Sequence, residues 1–311
     1  MPAKYFLFEN GDRYLVKDVL EEKSFMPGFP LPYLKAIGAE REWDGNLHVT
    51  DLYNGLRQTF LKYVVDYAID PDDSAFAVSG NLKHDKLEEF GDMSELAVFY
   101  KGIKGRTDLL DYEKHNGYVI TDYKNQGAFA VRKFMGWQKR MVPVLDEFGV
   151  QVFLKSGKNK GAPKMQSEWF FDPKTAETEQ YDYQLNIYRK AIEETFKIEV
   201  VDMRIFFMLR DGGLAATREA GLNRNTYLLP VKRLSDDVID AYIEERSVTK
   251  PLIETTLDEN RGTTEIVTPA LIKNCPGMCT DKERWYDPAS GISKKCAFYC
   301  PVKDICKEIG G

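Results

Sequence analysis

One stretch constrains this chain more than any other: Gly105-Arg-Thr-Asp-Leu-Leu-Asp-Tyr-Glu-Lys-His-Asn-Gly-Tyr-Val-Ile-Thr-Asp-Tyr-Lys124. Tyr118, Val119 and Ile120 favour a strand and Asn116-Gly117 supplies a turn, so the stretch predicts a hairpin. A three-residue loop over Lys114, His115 and Asn116, with Gly117 in the left-handed position of a bulge, pairs Glu113 with Gly117 and brings Asp108 opposite Asp122. Side chains alternate along a strand, so Lys124 shares their face. Two carboxylates facing each other across a ladder stand about 5 Å apart and repel. A divalent cation is the simplest compensation. A two-residue Asn-Gly turn has the opposite consequence: a surface hairpin whose acids point to different faces and are solvated.

The five cysteines all follow residue 274. A secreted disulfide framework would spread an even number through the fold, so this crowding predicts a local metal site. No run of about 18 apolar residues occurs, and Lys4, Glu9, Asp12 and Arg13 interrupt the first residues where a signal peptide would be apolar. The expectation is a cytoplasmic protein with no membrane partner. Length, 311 residues, allows one large domain or two.

Net charge is −6, which argues against a polyanionic partner until its layout is considered. Between Lys124 and Lys164 nine basic residues face two acids, Asp146 and Glu147. Within that segment 155–164 is polar and glycine-bearing, and reads as a flexible loop whose Lys155, Lys158, Lys160 and Lys164 track phosphates or are simply solvated.

The remaining pattern is mixed. Residues 1–47 read as a small hairpin and cap, broken by Phe29-Pro-Leu-Pro32. From Val49, apolar residues at Leu52, Leu56, Phe60, Tyr63 and Val64 predict a helix capped by Thr50 or Asp51 and carrying Arg57. Further helices are expected over 79–90, through Phe134, Trp137 and Met141, and over 180–196 and 236–245. Strands are expected over 95–100 and 200–209. Strands interleaved with helices make an α/β protein.

The order Gly80-x3-His84, Gly105-x2-Asp108, Asp122-x-Lys124, Gln184-x3-Tyr188 resembles the RecB-like nucleases of the PD-(D/E)XK superfamily. The segment from His48 to Arg57 is similar to the opening helix of that family's CRISPR-associated iron-sulfur exonucleases. The resemblance implies a restriction-endonuclease-like central mixed sheet flanked by helices, with a cysteine-rich metal-binding C-terminal region. It divides the chain into a cap segment (1–47), a nuclease core (48–250) and a metal-binding tail (251–311).

It also assigns roles. Asp108, Asp122 and the Tyr123 backbone carbonyl would hold Mg²⁺ or Mn²⁺, with His84 a further ligand that suits Mn²⁺ better. Lys124 would orient the attacking water or stabilise developing charge. Gln184 reaches the site, and Tyr188 positions it. Asp122 stands where the family often has Glu, one methylene longer. Arg57 and Arg106 would contact phosphates or form surface ion pairs.

In the similar iron-sulfur nucleases one cysteine precedes the core and three follow it. Here the Cys300-x5-Cys306 gap is kept, the preceding Cys296-x3-Cys300 spacing is one residue longer, and Asn54-Gly55 stands where the first cysteine is expected. A [4Fe-4S] cluster would then take its fourth ligand from Cys275 or Cys279. Zinc on Cys275, Cys279, Cys296 and Cys300 is the competing arrangement. Two functional classes follow: a DNA nuclease, favouring single-stranded or end-bearing DNA, or a nucleic-acid-binding or assembly protein that keeps the fold without cleavage.

Overall fold

A computed structural model of the chain describes residues 3–24, 26–38, 43–91, 93–114, 117–260, 272 and 274–309. Its N-terminal part is a small unit with its own core. Strand β1 (Ala3–Leu7) pairs with β2 (Arg13–Leu15), followed by helices α1 (Val16–Leu20) and α2 (Leu31–Ile37). Phe6, Val16, Val19, Met26 and Leu34 are buried together there. The hairpin expected in this region is present, and β4 (Tyr67–Ile69) adds a parallel third strand from beyond residue 47.

The main core lies around a six-stranded mixed sheet. After β3 (Leu47–His48), α3 (Leu56–Val64) and α4 (Ala75–Glu88) come β5 (Ser94–Tyr100), β6 (Ile103–Glu113) and β7 (Gly117–Gln126). Helix α5 (Ala128–Met135) leads to β8 (Trp137–Pro143) and β9 (Met165–Phe171). Then follow α6 (Glu179–Phe196), β10 (Val200–Leu209), α7 (Ala215–Glu219), β11 (Thr226–Pro230), α8 (Asp236–Arg246) and α9 (Thr249–Glu259). The sheet runs β11-β10-β7-β6-β3, with β5 also on β6. β10 is parallel to β7 and antiparallel to β11. Alternating buried positions along β10, from Val200 to Leu209, carry the sheet's centre. Among the described residues no helix is long and apolar enough to cross a membrane.

Strand β6 changes partners along its length, and this places the site. It pairs with β7 only from Glu113↔Gly117 to Leu109↔Thr121, while β3 takes up Ile103 and Lys104. Past Leu109 and Thr121 the two strands part, although β7 stays paired with β10 as far as Gln126. Asp108 and Asp122 are the first residues of the resulting fork. Glu113 does pair with Gly117, whose φ is +100°, as a bulged loop requires. The turn residues His115 and Asn116 lie outside the described residues.

Three expected elements differ. The helix expected from Val49 is a short 3-10 turn, Val49–Asp51, and α3 begins only at Leu56. Asp51 explains the break: its carboxylate takes the His48 N–H at 2.9 Å and the Tyr63 hydroxyl at 2.7 Å. The helix through Trp137 and Met141 is instead helix then strand. Gly136 ends α5 at φ +86°, its N–H bonding back to the Lys133 carbonyl, and its own carbonyl accepts the Asp172 N–H at 2.9 Å at the root of a β8–β9 ribbon. Finally, 155–164 is not a free loop but the folded tip of that ribbon, with Leu154 N–H bonded to Ala162 O (2.9 Å) and Lys164 N–H to Val152 O (2.8 Å).

A Cβ at Gly136 would stand 2.2 Å from the Asp172 carbonyl oxygen, in a left-handed conformation besides. Gly136→Ala is therefore expected to cost about 2 kcal/mol or more of stability in denaturant unfolding. A cost near zero would mean that the Asp172 carbonyl does not close on Gly136 at the ribbon root.

Candidate metal and catalytic site

The fork between β6 and β7 is filled from α6. Gln184 and Tyr188, one helical turn apart, are both 4% exposed and point into it. Gln184 Nε2 donates to Asp122 Oδ1 at 3.1 Å and lies 3.2 Å from the Tyr188 hydroxyl. The helix is fixed by its own polar side. Asn186 bonds the Asp182 and Lys232 carbonyls at 2.8 Å, and the buried Arg189 pairs with Glu193 and Asp236 at 2.7 Å. Gly105 makes the close approach possible, because a Cβ there would meet the Tyr188 ring at 2.6 Å and Val49 at 2.9 Å.

Around the fork the carboxylates are held by unlike partners. Asp122 is 1% exposed and has Lys124 Nζ at 2.5 Å from Oδ2. Asp108 Oδ2 accepts the Tyr123 N–H at 2.6 Å, a backbone group that the parted ladder no longer pairs with β6. His84 Nδ1, from α4, stands 3.6 Å from the same oxygen and the ring hydrogen-bonds to the Tyr123 backbone. His84, Asp108, Asp122, Tyr123, Lys124, Gln184 and Tyr188 thus converge at one place. Among the described residues, however, no three His, Cys, Asp or Glu side chains stand close enough to hold one metal ion. An ion in the fork would require the carboxylates to turn toward it.

The electrostatics explain why a cation suits this place. Burial, and then the neighbouring Asp122 charge, push Asp108 up to about 7. Burial works against the Lys124 ammonium, but Asp122 and Asp108 together hold it above the usual lysine range. Burial and Lys124 hold His84 below the usual histidine range, so it is a neutral imidazole at pH 7 and available as a ligand. Burial, with Asp122 adding, pushes the Tyr188 hydroxyl up to about 12. One lysine therefore faces two carboxylates, Asp122 buried and Asp108 half-buried, and the second acid charge has only a backbone N–H and a neutral ring beside it.

Other groups near the fork are not apparent from motif spacing alone. Glu88, one turn beyond His84 on α4, acts electrostatically on both His84 and Asp108. Tyr53 is held well above the usual tyrosine range by burial, with Tyr188 and Asp122 adding. Lys83 Nζ donates to Asn125 Oδ1 at 2.8 Å on β7. The i, i+4 spacing of His84 and Glu88 is the one sequence signal that could have drawn in the first of these.

The expected phosphate contacts separate. Arg57 is a correction: it is 6% exposed, faces the cysteine tail and hydrogen-bonds to Cys275, so it does not reach a nucleic-acid surface. Arg106 is exposed but ion-paired with Glu95. Lys155, Lys158, Lys160 and Lys164 are exposed at the ribbon tip. Along the ribbon, Arg132 and Lys139 lie over Trp169 at 4.6 and 5.4 Å and Arg140 over Phe170 at 5.0 Å. Cys275, Cys279, Cys296, Cys300 and Cys306 are all half-buried free thiols.

No family model matches the chain, and no curated relative matches it. Among solved structures it is similar to the crystal structure of SSO0001, at 14% identity over 95% of each chain and a TM-score of 0.35. A likeness that slight carries no argument.

Proposed function

We propose that this chain is a metal-dependent DNA nuclease of the RecB-like PD-(D/E)XK kind, with a restriction-endonuclease-like sheet and a structural [4Fe-4S] cluster in its tail. It acts in the cytoplasm on single-stranded or end-bearing DNA. The observation that carries this reading is the strand fork, where half-buried Asp108 and buried Asp122 meet with Lys124 and His84 at hand.

Asp108, Asp122, the Tyr123 carbonyl and His84 would hold Mg²⁺ or Mn²⁺, which supplies charge neutralisation at the phosphate and an acidified water. The protein's own groups do the rest. Gln184 holds Asp122 in orientation through a 3.1 Å bond, and Tyr188 lies 3.2 Å from Gln184 Nε2. Lys124, freed from part of its pairing with Asp122, is placed to hold a water or the charge that develops on phosphate oxygen. Base specificity is not expected, because lysines at a ribbon tip hold backbone phosphates and leave base edges unread.

The tip lysines supply a checkable surface. With Lys155, Lys158, Lys160 and Lys164 all changed to Ala, the dependence of log affinity on log salt becomes shallower by up to about three for single strands. An unchanged slope removes the tip from the interface.

A second reading is favoured by one specific observation: Lys124 already neutralises Asp122 at 2.5 Å, an arrangement stable without any ion. On that reading the chain binds nucleic acid or assembles with partners and does not cut. Labelled single- and double-stranded DNA incubated with Mg²⁺ or Mn²⁺ separates the two. Cleavage that chelation abolishes supports the nuclease, and binding without cleavage supports the other.

A further inference from the structure

We propose that the β8–β9 ribbon is a stacking arm for unpaired nucleic-acid strand, taking bases against the exposed rings of Phe148, Phe153 and Phe171 while phosphates follow Arg132, Lys139 and the tip lysines. The inference rests on the reading above that this chain acts on nucleic acid. It goes further by giving the strand a binding site outside the fork and by stating which form of strand that site takes.

The ribbon has no core of its own. β8 and β9 pair only with each other, and no residue from 137 to 171 is buried. A segment that buries nothing is ordinarily polar, yet this one leaves Phe148 81%, Phe153 51% and Phe171 52% exposed. Exposed rings gathered on one element mark a binding surface. Their register places part of that surface. Trp137↔Phe171, Lys139↔Trp169 and Met141↔Ser167 are opposite pairs two residues apart, so their side chains share one face. Phe171 tilts against Trp137 at 5.6 Å, whereas Phe148 and Phe153 have no ring or cation contact among the described residues.

The same element is basic. Between Trp137 and Phe171 six basic residues stand against three acids, in a chain whose net charge is −6. Two of those acids are already engaged: Asp146 accepts the Phe148 and Val150 N–H groups at 2.9 Å, and Glu168 pairs with Arg140 at 3.2 Å. Arg132 and Lys139 differ, for Trp169 seats both cations and neither has a carboxylate partner among the described residues. Burial works against the Arg132 charge, with only Asp211 opposing it. A half-buried guanidinium in that position is completed by an anion from outside the chain.

Charge and rings together select the occupant. A duplex offers phosphates but turns its base faces inward, so the phenylalanines would have nothing to stack on. An acidic protein surface offers carboxylates without a run of flat π faces. An unpaired strand supplies phosphates to the cations and bases to the rings. Stacking accepts every base, in keeping with an interface that does not read base edges.

The test compares a thymine-bearing single strand with an abasic strand of the same length and charge, bound to the full chain at fixed salt without added divalent metal. Wild type binds the base-bearing strand about 10–100-fold more tightly. Phe148→Leu combined with Phe153→Leu and Phe171→Leu keeps apolar bulk but removes the flat rings, and brings the base-bearing strand to within about twofold of the abasic one. Arg132→Gln weakens both strands by the same factor and makes the salt dependence shallower by about 0.7. Equal wild-type affinity for the two strands, or a preference that survives the triple variant, overturns the stacking arm and leaves the nucleic-acid reading intact. Wild type that self-associates through the ribbon, with strand binding weakened as the oligomer forms, assigns the rings to a second copy and overturns it too. Wild type that binds neither strand overturns the nucleic-acid reading itself.

Discussion

Asp122→Asn, Asp108→Ala and Lys124→Ala each lower the rate of metal-dependent DNA cleavage by about 10²–10³-fold or more, while DNA binding stays within a few-fold of wild type. The size follows from the place of these groups in the fork. Asp122 is 1% exposed and linked to both Gln184 and Lys124, so its charge organises the other two. Asp122→Asn keeps an oxygen for the Gln184 amide but removes the charge that Lys124 answers. Lys124→Ala leaves the two acids facing each other with no cation of the protein's own between them. Binding persists because the exposed lysines at 155–164 belong to the β8–β9 ribbon, a separate element. Steady-state cleavage and filter binding on the same labelled strand measure both. Wild-type rates in any of the three variants would remove that residue from the site.

The metal-free protein is expected to lose stability relative to Asp108→Asn as pH rises from 5 to 8. Burial and Asp122 place the folded-state value of Asp108 near 7, well above that of an exposed aspartate. Between those two values the folded chain keeps a proton that the unfolded chain has released, so raising the pH favours unfolding, and the full penalty applies above 7. A shift of this size corresponds to something on the order of 2–4 kcal/mol. Asn imitates the neutral acid and avoids the penalty. Denaturant unfolding of both proteins across this range measures it, and parallel pH profiles would contradict it. Added Mn²⁺ should reverse the order at pH 8, by stabilising the charged wild-type pair and not the variant.

Much of the site is legible in the sequence because it depends on short-range geometry. A bulged loop with Gly117 at positive φ fixes Glu113 against Gly117, and counting along both strands then brings Asp108 and Asp122 to one place. The four-residue spacing of Gln184 and Tyr188 likewise needs only helix geometry. What the count does not contain is the fork: that β7 leaves β6 after Thr121 depends on α6 and Val49 wedging in at Gly105. Trp137 and Met141 have helical spacing from Phe134, yet one residue, Gly136, decides that the chain turns into a ribbon. Arg57 lies on a helix, as the local spacing implies, but the partner of its face, Cys275, is more than 200 residues away in sequence. No local pattern reports that contact.

Calorimetric titration of Mn²⁺ into apoprotein at pH 8 tests the carboxylate pair at the strand fork most directly. Wild type should bind saturably, and Asp108→Asn combined with Asp122→Asn should show no binding at that site. Equal binding by the two proteins, or none by wild type, would contradict the claim that these two acids hold a divalent cation.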